Sequence, residues 1–149
     1  MAQFTTTRRV KFAETDMAGI VHFANFYRWM EEAEHEFFRA HGLTIMQAQP
    51  DGRYIGWPRV SASCSFERPA RYEDVLEVRV DIERIGVKSL TFLVEFYNGR
   101  QRIAHGRMKT ACCLCGHDEP LESIVIPSEY LSRLPEAIPD PKRTRASNP

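Results

Sequence analysis

From about Ala24 to His41, apolar residues recur in steps of three and four, at Phe26, Trp29, Met30, Ala33, Phe37 and Ala40. That spacing lines them along one face of a helix. Arg28, Glu31, Glu32, Glu34, His35 and Arg39 make up its polar remainder. Arg39 and His41 suit the negative end of the helix dipole, and Gly42 suits the residue just beyond it. Past Arg59 the period becomes two. Val60, Ala62, Cys64 and Phe66 alternate with polar neighbours, as do Leu76, Val78, Val80 and Ile82, and then Leu90, Phe92, Val94 and Phe96. Each run predicts a strand with one buried face. Gly86 falls in the turn between the second and third runs, and Asn98-Gly99 predicts a tight hairpin. A long strand follows from about Arg102 to Leu114. It presents Ala104, Gly106, Met108, Thr110, Cys112 and Leu114 on one face, small residues first, so a helix can approach closely there. An opening strand spans Phe4 to Phe12.

The order is strand, helix, then four strands linked by short hairpins, hence antiparallel. One long apolar helix needs a sheet, and the sheet needs a cover. The expected fold is therefore α+β: one central helix wrapped by a curved five-stranded antiparallel sheet, β-α-β-β-β-β.

Composition bounds what this fold does. A chain of 149 residues is one domain. Residues 1–134 are expected to form it, and 135–149 to be a Pro-rich, poorly ordered tail. Lys+Arg and Asp+Glu are 20 each, so the formal charge is zero, which argues against a general electrostatic grip on nucleic acid or on a membrane surface. No apolar run is long enough to span a bilayer. The polar N-terminus lacks a signal region, and Cys112, Cys113 and Cys115 crowd together as no disulfide framework does, so a reducing cytoplasm is expected. The same cysteines do not predict a metal site: adjacent strand residues face opposite ways, separating Cys112 from Cys113 and Cys115.

The segment Glu14-Thr15-Asp16-Met17-Ala18-Gly19-Ile20-Val21-His22-Phe23-Ala24-Asn25-Phe26 carries the chemistry. It sets a carboxylate a few positions before a helix N-terminus, where unpaired N–H groups and the positive dipole end lie. Gly19 lets the backbone bend there. A carboxylate beside a cluster of donors is what acyl transfer requires.

Phe12, Glu14, Thr15, Asp16, Ala18, Gly19, Ile20, Val21, Phe23, Asn25 and Phe26 resemble the signature of the hotdog-fold acyl-CoA thioesterases, the 4-hydroxybenzoyl-CoA thioesterase-like family. Cys64 to Asp74, with its Pro69-Ala70 break, and Ile126-Pro127 resemble further family segments, so the likeness spans residues 4 to 130. It implies a hotdog fold and hydrolysis of an aromatic or short- to medium-chain acyl-CoA. Asp16 would be the nucleophile or general base, and the Phe23 backbone N–H the oxyanion donor, with Gly19 shaping the loop. His22 would orient water or touch the acyl group, or else cap the helix. Asn25 and Phe26 would face the substrate. Lys88, Ser89 and Arg68, with Arg71 and Arg107 as further candidates, would meet the coenzyme A phosphates. No cofactor or metal is implied, because coenzyme A is part of the substrate. A homodimer or homotetramer is implied, with the site at the dimer interface. The competing readings are a naphthoyl-CoA or acyl-carrier-protein thioesterase, a non-catalytic acyl-CoA-binding module, and a dehydratase, which the Glu14-Thr15-Asp16 loop disfavours.

Overall fold

The computed structural model describes residues 1–140. Strand β1 (Phe4–Arg9) opens the chain, followed by a short 3-10 turn (Phe12–Glu14) and helix α1 (Ala24–Ala40). Strands β2 (Met46–Ala48), β3 (Tyr54–Gly56), β4 (Arg59–Phe66), β5 (Val75–Ile85), β6 (Ser89–Asn98), β7 (Gln101–Ala111), β8 (Cys113–Cys115) and β9 (Glu122–Ser123) follow, then helix α2 (Ser128–Arg133). The expected architecture is present. Five strands pair antiparallel in the order β1-β5-β6-β7-β4, and α1 lies across their concave face.

The sheet-facing positions are the expected ones. Leu76, Val78, Val80 and Ile82 on β5, and Leu90, Phe92, Val94 and Phe96 on β6, are fully buried. They pack against Phe26, Trp29, Met30, Ala33, Phe37 and Phe38 of α1. Register shifts at Arg59/Ser61, Ile82/Arg84 and Phe96/Tyr97 mark irregularities of the kind that bend a sheet. Gly106 shows why small residues open the inner face of β7. A Cβ there would fall 2.5 Å from Met30 Cε and 2.6 Å from the Ser63 carbonyl oxygen. Gly42 ends α1 at φ +70°, with the Leu43 N–H donating back to the Phe38 carbonyl (2.9 Å).

Four expectations need correction. The opening strand stops at Arg9, where the chain turns into the 3-10 segment. The last long strand breaks at Cys112, and β8 joins a second, four-stranded sheet, β2-β3-β8-β9, that the sequence did not suggest. Strand β4 does not bury its apolar face. It is a sheet edge, with Val60 59% and Phe66 47% exposed. Glu34 belongs to the buried side of α1, not the polar side. It is 0% exposed and pairs with Arg59, which also lies 3.6 Å from Glu31. Burial raises its carboxyl pKa despite the Arg59 guanidinium beside it. Of the expected tail, Ile138 donates its N–H to the Ile82 carbonyl (2.8 Å), so the chain is tied to β5 at that point. Residues 141–149 lie outside the described residues. Among the described residues, no helix is long and apolar enough to cross a membrane.

Candidate active site

The loop between β1 and α1 is closed on itself. Thr15 and Val21 form an isolated antiparallel bridge, and the Asp16 N–H donates to the Ile20 carbonyl (2.9 Å). Gly19 turns the loop at φ +76° and donates to the Asp16 carbonyl (3.0 Å). That φ is what only glycine adopts freely. The Asp16 carboxylate is oriented from within the loop: Oδ1 accepts the Ala18 N–H at 2.8 Å.

Glu14 ties this loop to the helix. Its Oε1 accepts the Lys11 N–H (2.8 Å), and its Oε2 accepts the indole N–H of Trp29 (3.0 Å). Its carbonyl accepts from the His22 N–H (2.9 Å) and the Asn25 side-chain amide (2.8 Å). Asn25 is thus spent on the loop and does not line the cavity beside it. The anchoring roles of Glu14 and Trp29 are not legible in the sequence pattern, because a contact across fifteen residues leaves no local period.

At the start of α1, Phe23 already has helical dihedrals. Among the described residues, no hydrogen bond takes up its backbone N–H, as expected of a helix start. His22 is exposed and stacks on Phe23, and its Nδ1 accepts the Ala24 N–H (3.2 Å). This is the capping arrangement, and His22 is not among the cavity's walls.

A cavity of about 470 Å³ opens beside the loop. Asp16, Ile20, Val21, Phe23, Phe26, Phe66, Glu67, Arg68, Pro69 and Ala70 line it. The structure therefore brings Asp16, Phe23, Phe26 and Arg68 together. Glu67 is held on the outer face by Arg102 (2.8 Å) and His105 (2.7 Å), whereas Arg68 has no ion-pair partner among the described residues.

Other candidates lie elsewhere. Phe26 of α1 meets Phe96 near the end of β6, and Phe37 meets Phe92 near its start. Lys88 and Ser89, which lead into β6, thus sit at the far end of α1. At about 1.5 Å per helical residue, that is on the order of 25 Å from the Asp16 end. Arg107 is paired with Glu83 on the outer face (2.8 Å), and Arg71 does not line the cavity. No group of three or more His, Cys, Asp or Glu residues is placed to hold a metal among the described residues. Burial pushes the thiols of Cys64 and Cys112 up to about 11, so neither supplies a thiolate near neutral pH.

Residues 10–137 match the model of the thioesterase-like superfamily. The chain is 31% identical, over 108 residues, to a 1,4-dihydroxy-2-naphthoyl-CoA hydrolase of Prochlorococcus marinus (strain MIT 9303), covering 68% of this chain and 72% of that protein. It is 36% identical over 86 residues to the 4-hydroxybenzoyl-CoA thioesterase of Pseudomonas sp. (strain CBS-3), covering 57% of this chain and 61% of that one. The three-dimensional structure of that enzyme matches with a TM-score of 0.76 at 26% identity, over 90% of this chain and 100% of that chain. A solved gentisyl-coenzyme A thioesterase matches with a TM-score of 0.72 at 30% identity, over 86% and 99%.

Proposed function

Because the chain belongs to the thioesterase-like superfamily, we propose that it hydrolyses CoA thioesters, that its substrate is an aromatic or short- to medium-chain acyl-CoA and that Asp16 carries the chemistry. One observation supports this most. Asp16 and the helix start at Phe23, whose backbone N–H has no acceptor among the described residues, line a single, largely apolar cavity.

In this reading, the acyl group lies against Ile20, Val21, Phe26 and Phe66, and the Phe23 N–H points at the thioester oxygen. As the carbonyl carbon becomes tetrahedral, that N–H and the dipole of α1 stabilise the oxyanion. Asp16 acts in one of two ways. As a base, it takes a proton from water, which attacks the carbonyl. As a nucleophile, it forms a mixed anhydride that water then cleaves. Either route consumes one water and releases the acid and the thiol. The leaving thiol has a pKa near that of free cysteine, about 8.5, and departs as thiolate without a strong acid. Arg68 offers a cation at the cavity for a coenzyme A phosphate.

The active assembly in this reading is at least a dimer. Support comes from β4, whose outer edge is unpaired among the described residues although its backbone groups want partners. A second copy pairing antiparallel along the whole of β4 would set its Arg59 end beside Phe66. Lys88 accepts the Cys112 N–H through its carbonyl and lies close to that same end. Lys88 and Ser89 of the second copy would then approach the cavity from which their own Asp16 is remote.

Thiol release from benzoyl-, 4-hydroxybenzoyl-, naphthoyl- and graded aliphatic acyl-CoA, with wild type and Asp16→Asn, tests the reading. Loss of turnover by about 10²–10⁴-fold in the variant is expected for a catalytic carboxylate. Undiminished turnover in Asp16→Asn would exclude Asp16. Saturable binding without hydrolysis in the wild type would leave a binding module or a carrier-protein substrate.

A further inference from the structure

The rings at the cavity beside Asp16 come from two elements. Phe26 is fixed inside the protein, 4% exposed, between Trp29 (centroids 5.3 Å apart) and Phe96 (5.1 Å). Phe66 reaches the same place from the last position of β4. Its centroid is 5.3 Å from Phe26 at an interplanar angle of 51°, and 6.3 Å from Phe23 at 66°. Phe23 is 57% exposed and Phe66 47%, so both carry ring surface that the described residues do not cover. The rings are tilted and not stacked. They therefore show faces and edges to the cavity, and the quadrupole of an aromatic ring makes those orientations favourable for a further planar ring. An aliphatic chain filling the same space gains the apolar contact but not the quadrupolar one.

We propose that Phe66 is a specificity-determining residue that favours planar aromatic acyl groups over aliphatic ones of similar size. This rests on the thioesterase reading above. Phe66 is the informative position of the two exposed rings. The Phe23 backbone serves the helix start, and its ring stacks on His22. The Phe66 backbone pairs with Ala104 of β7 whatever side chain it carries, so the ring can be changed without unmaking the strand.

The test measures kcat/KM for benzoyl-CoA and hexanoyl-CoA with the full chain, as wild type, Phe66→Leu and Phe66→Tyr, and with Asp16→Asn as the check on the chemistry. Wild type is expected to prefer benzoyl-CoA. Phe66→Leu should lower the benzoyl-to-hexanoyl ratio by about tenfold, the upper end of what one aromatic pair contributes beyond equal apolar area. Phe66→Tyr, which keeps the ring, should keep the ratio. A wild type with no aromatic preference overturns the proposal. So does a Leu variant whose ratio stays within about twofold of wild type, or a Tyr variant that loses the ratio as Leu does. A wild type that hydrolyses neither ester overturns the thioesterase reading itself, and the selectivity with it.

Discussion

Replacing Gly106 by alanine tests how closely the helix is drawn onto the sheet. The added methyl would sit 2.5 Å from Met30 Cε, 2.8 Å from Met30 Sδ and 2.6 Å from the Ser63 carbonyl oxygen. Ordinary contact begins near about 3.5 Å. The methionine can swing its end away, since its side chain is flexible. The carbonyl cannot move without β4. Roughly an ångström must therefore come from sliding β4 off β7, the pair in which Gly106 faces Cys64. Overpacking of this kind costs about 1–3 kcal/mol. The stiffer unfolded chain of the alanine variant returns about 0.4–1 kcal/mol. The net is a loss of about 1–2 kcal/mol. At about 2–4 °C per kcal/mol for a chain of this size, the thermal midpoint should fall by about 2–8 °C. The assay is a melt followed by circular dichroism at matched protomer concentration, because association shifts the midpoint. Because Phe66 ends the same strand, kcat/KM for an aromatic acyl-CoA should fall as well. A midpoint within about 1 °C of wild type would mean that the helix is not seated on Gly106, and would refute the packing argument.

Asn25→Ala removes the amide that holds the Glu14 carbonyl at 2.8 Å. It should cost about 1 kcal/mol of stability and lower kcat more than it raises KM, and unchanged kcat would show that Asn25 does not position the Asp16 loop. Glu34→Gln bears on pH dependence. Burial raises the folded-state pKa of Glu34 above its ordinary value of 4.5, so the folded protein binds that proton more tightly than the unfolded one. Its contribution is fully present below that value and is lost as pH rises through the folded pKa. Denaturant midpoints measured across that window should fall with pH more steeply in wild type than in Glu34→Gln, and parallel curves would contradict the assignment.

The main helix and the five-stranded sheet are legible in the sequence because their faces follow strict periods. The Phe26-to-Phe37 stripe and the alternating runs of β5 and β6 each have one geometry that buries them. What escapes the periods depends on distant partners. Glu34 reads as a surface residue because the Arg59 that accompanies it lies twenty-five positions away, on a strand whose pairing no local pattern reveals. Phe66 reads as core because alternation marks a face but not whether anything covers it. The second sheet is made of segments of two or three residues, too short to show any period. At the site, the loop motif identifies Asp16, Gly19 and Phe23 as a group. Whether a polar neighbour serves the ligand or the loop is decided by hydrogen bonds. These commit Asn25 to Glu14, and the ring of His22 to the helix start.

The bond between the Trp29 indole and Glu14 also gives the molecule an optical reporter. The chain has two tryptophans, and their surroundings differ. Trp57 packs against Phe38 and Tyr130 at the end of α1 remote from Asp16. Trp29 is 2% exposed, and its N–H is held by the same carboxylate that fixes the Asp16 loop. A loosening of that loop would break the bond and admit water to one indole while leaving the other dry. The emission of a Trp57→Phe protein would therefore report, without any attached dye, any change at that loop when an acyl-CoA is added.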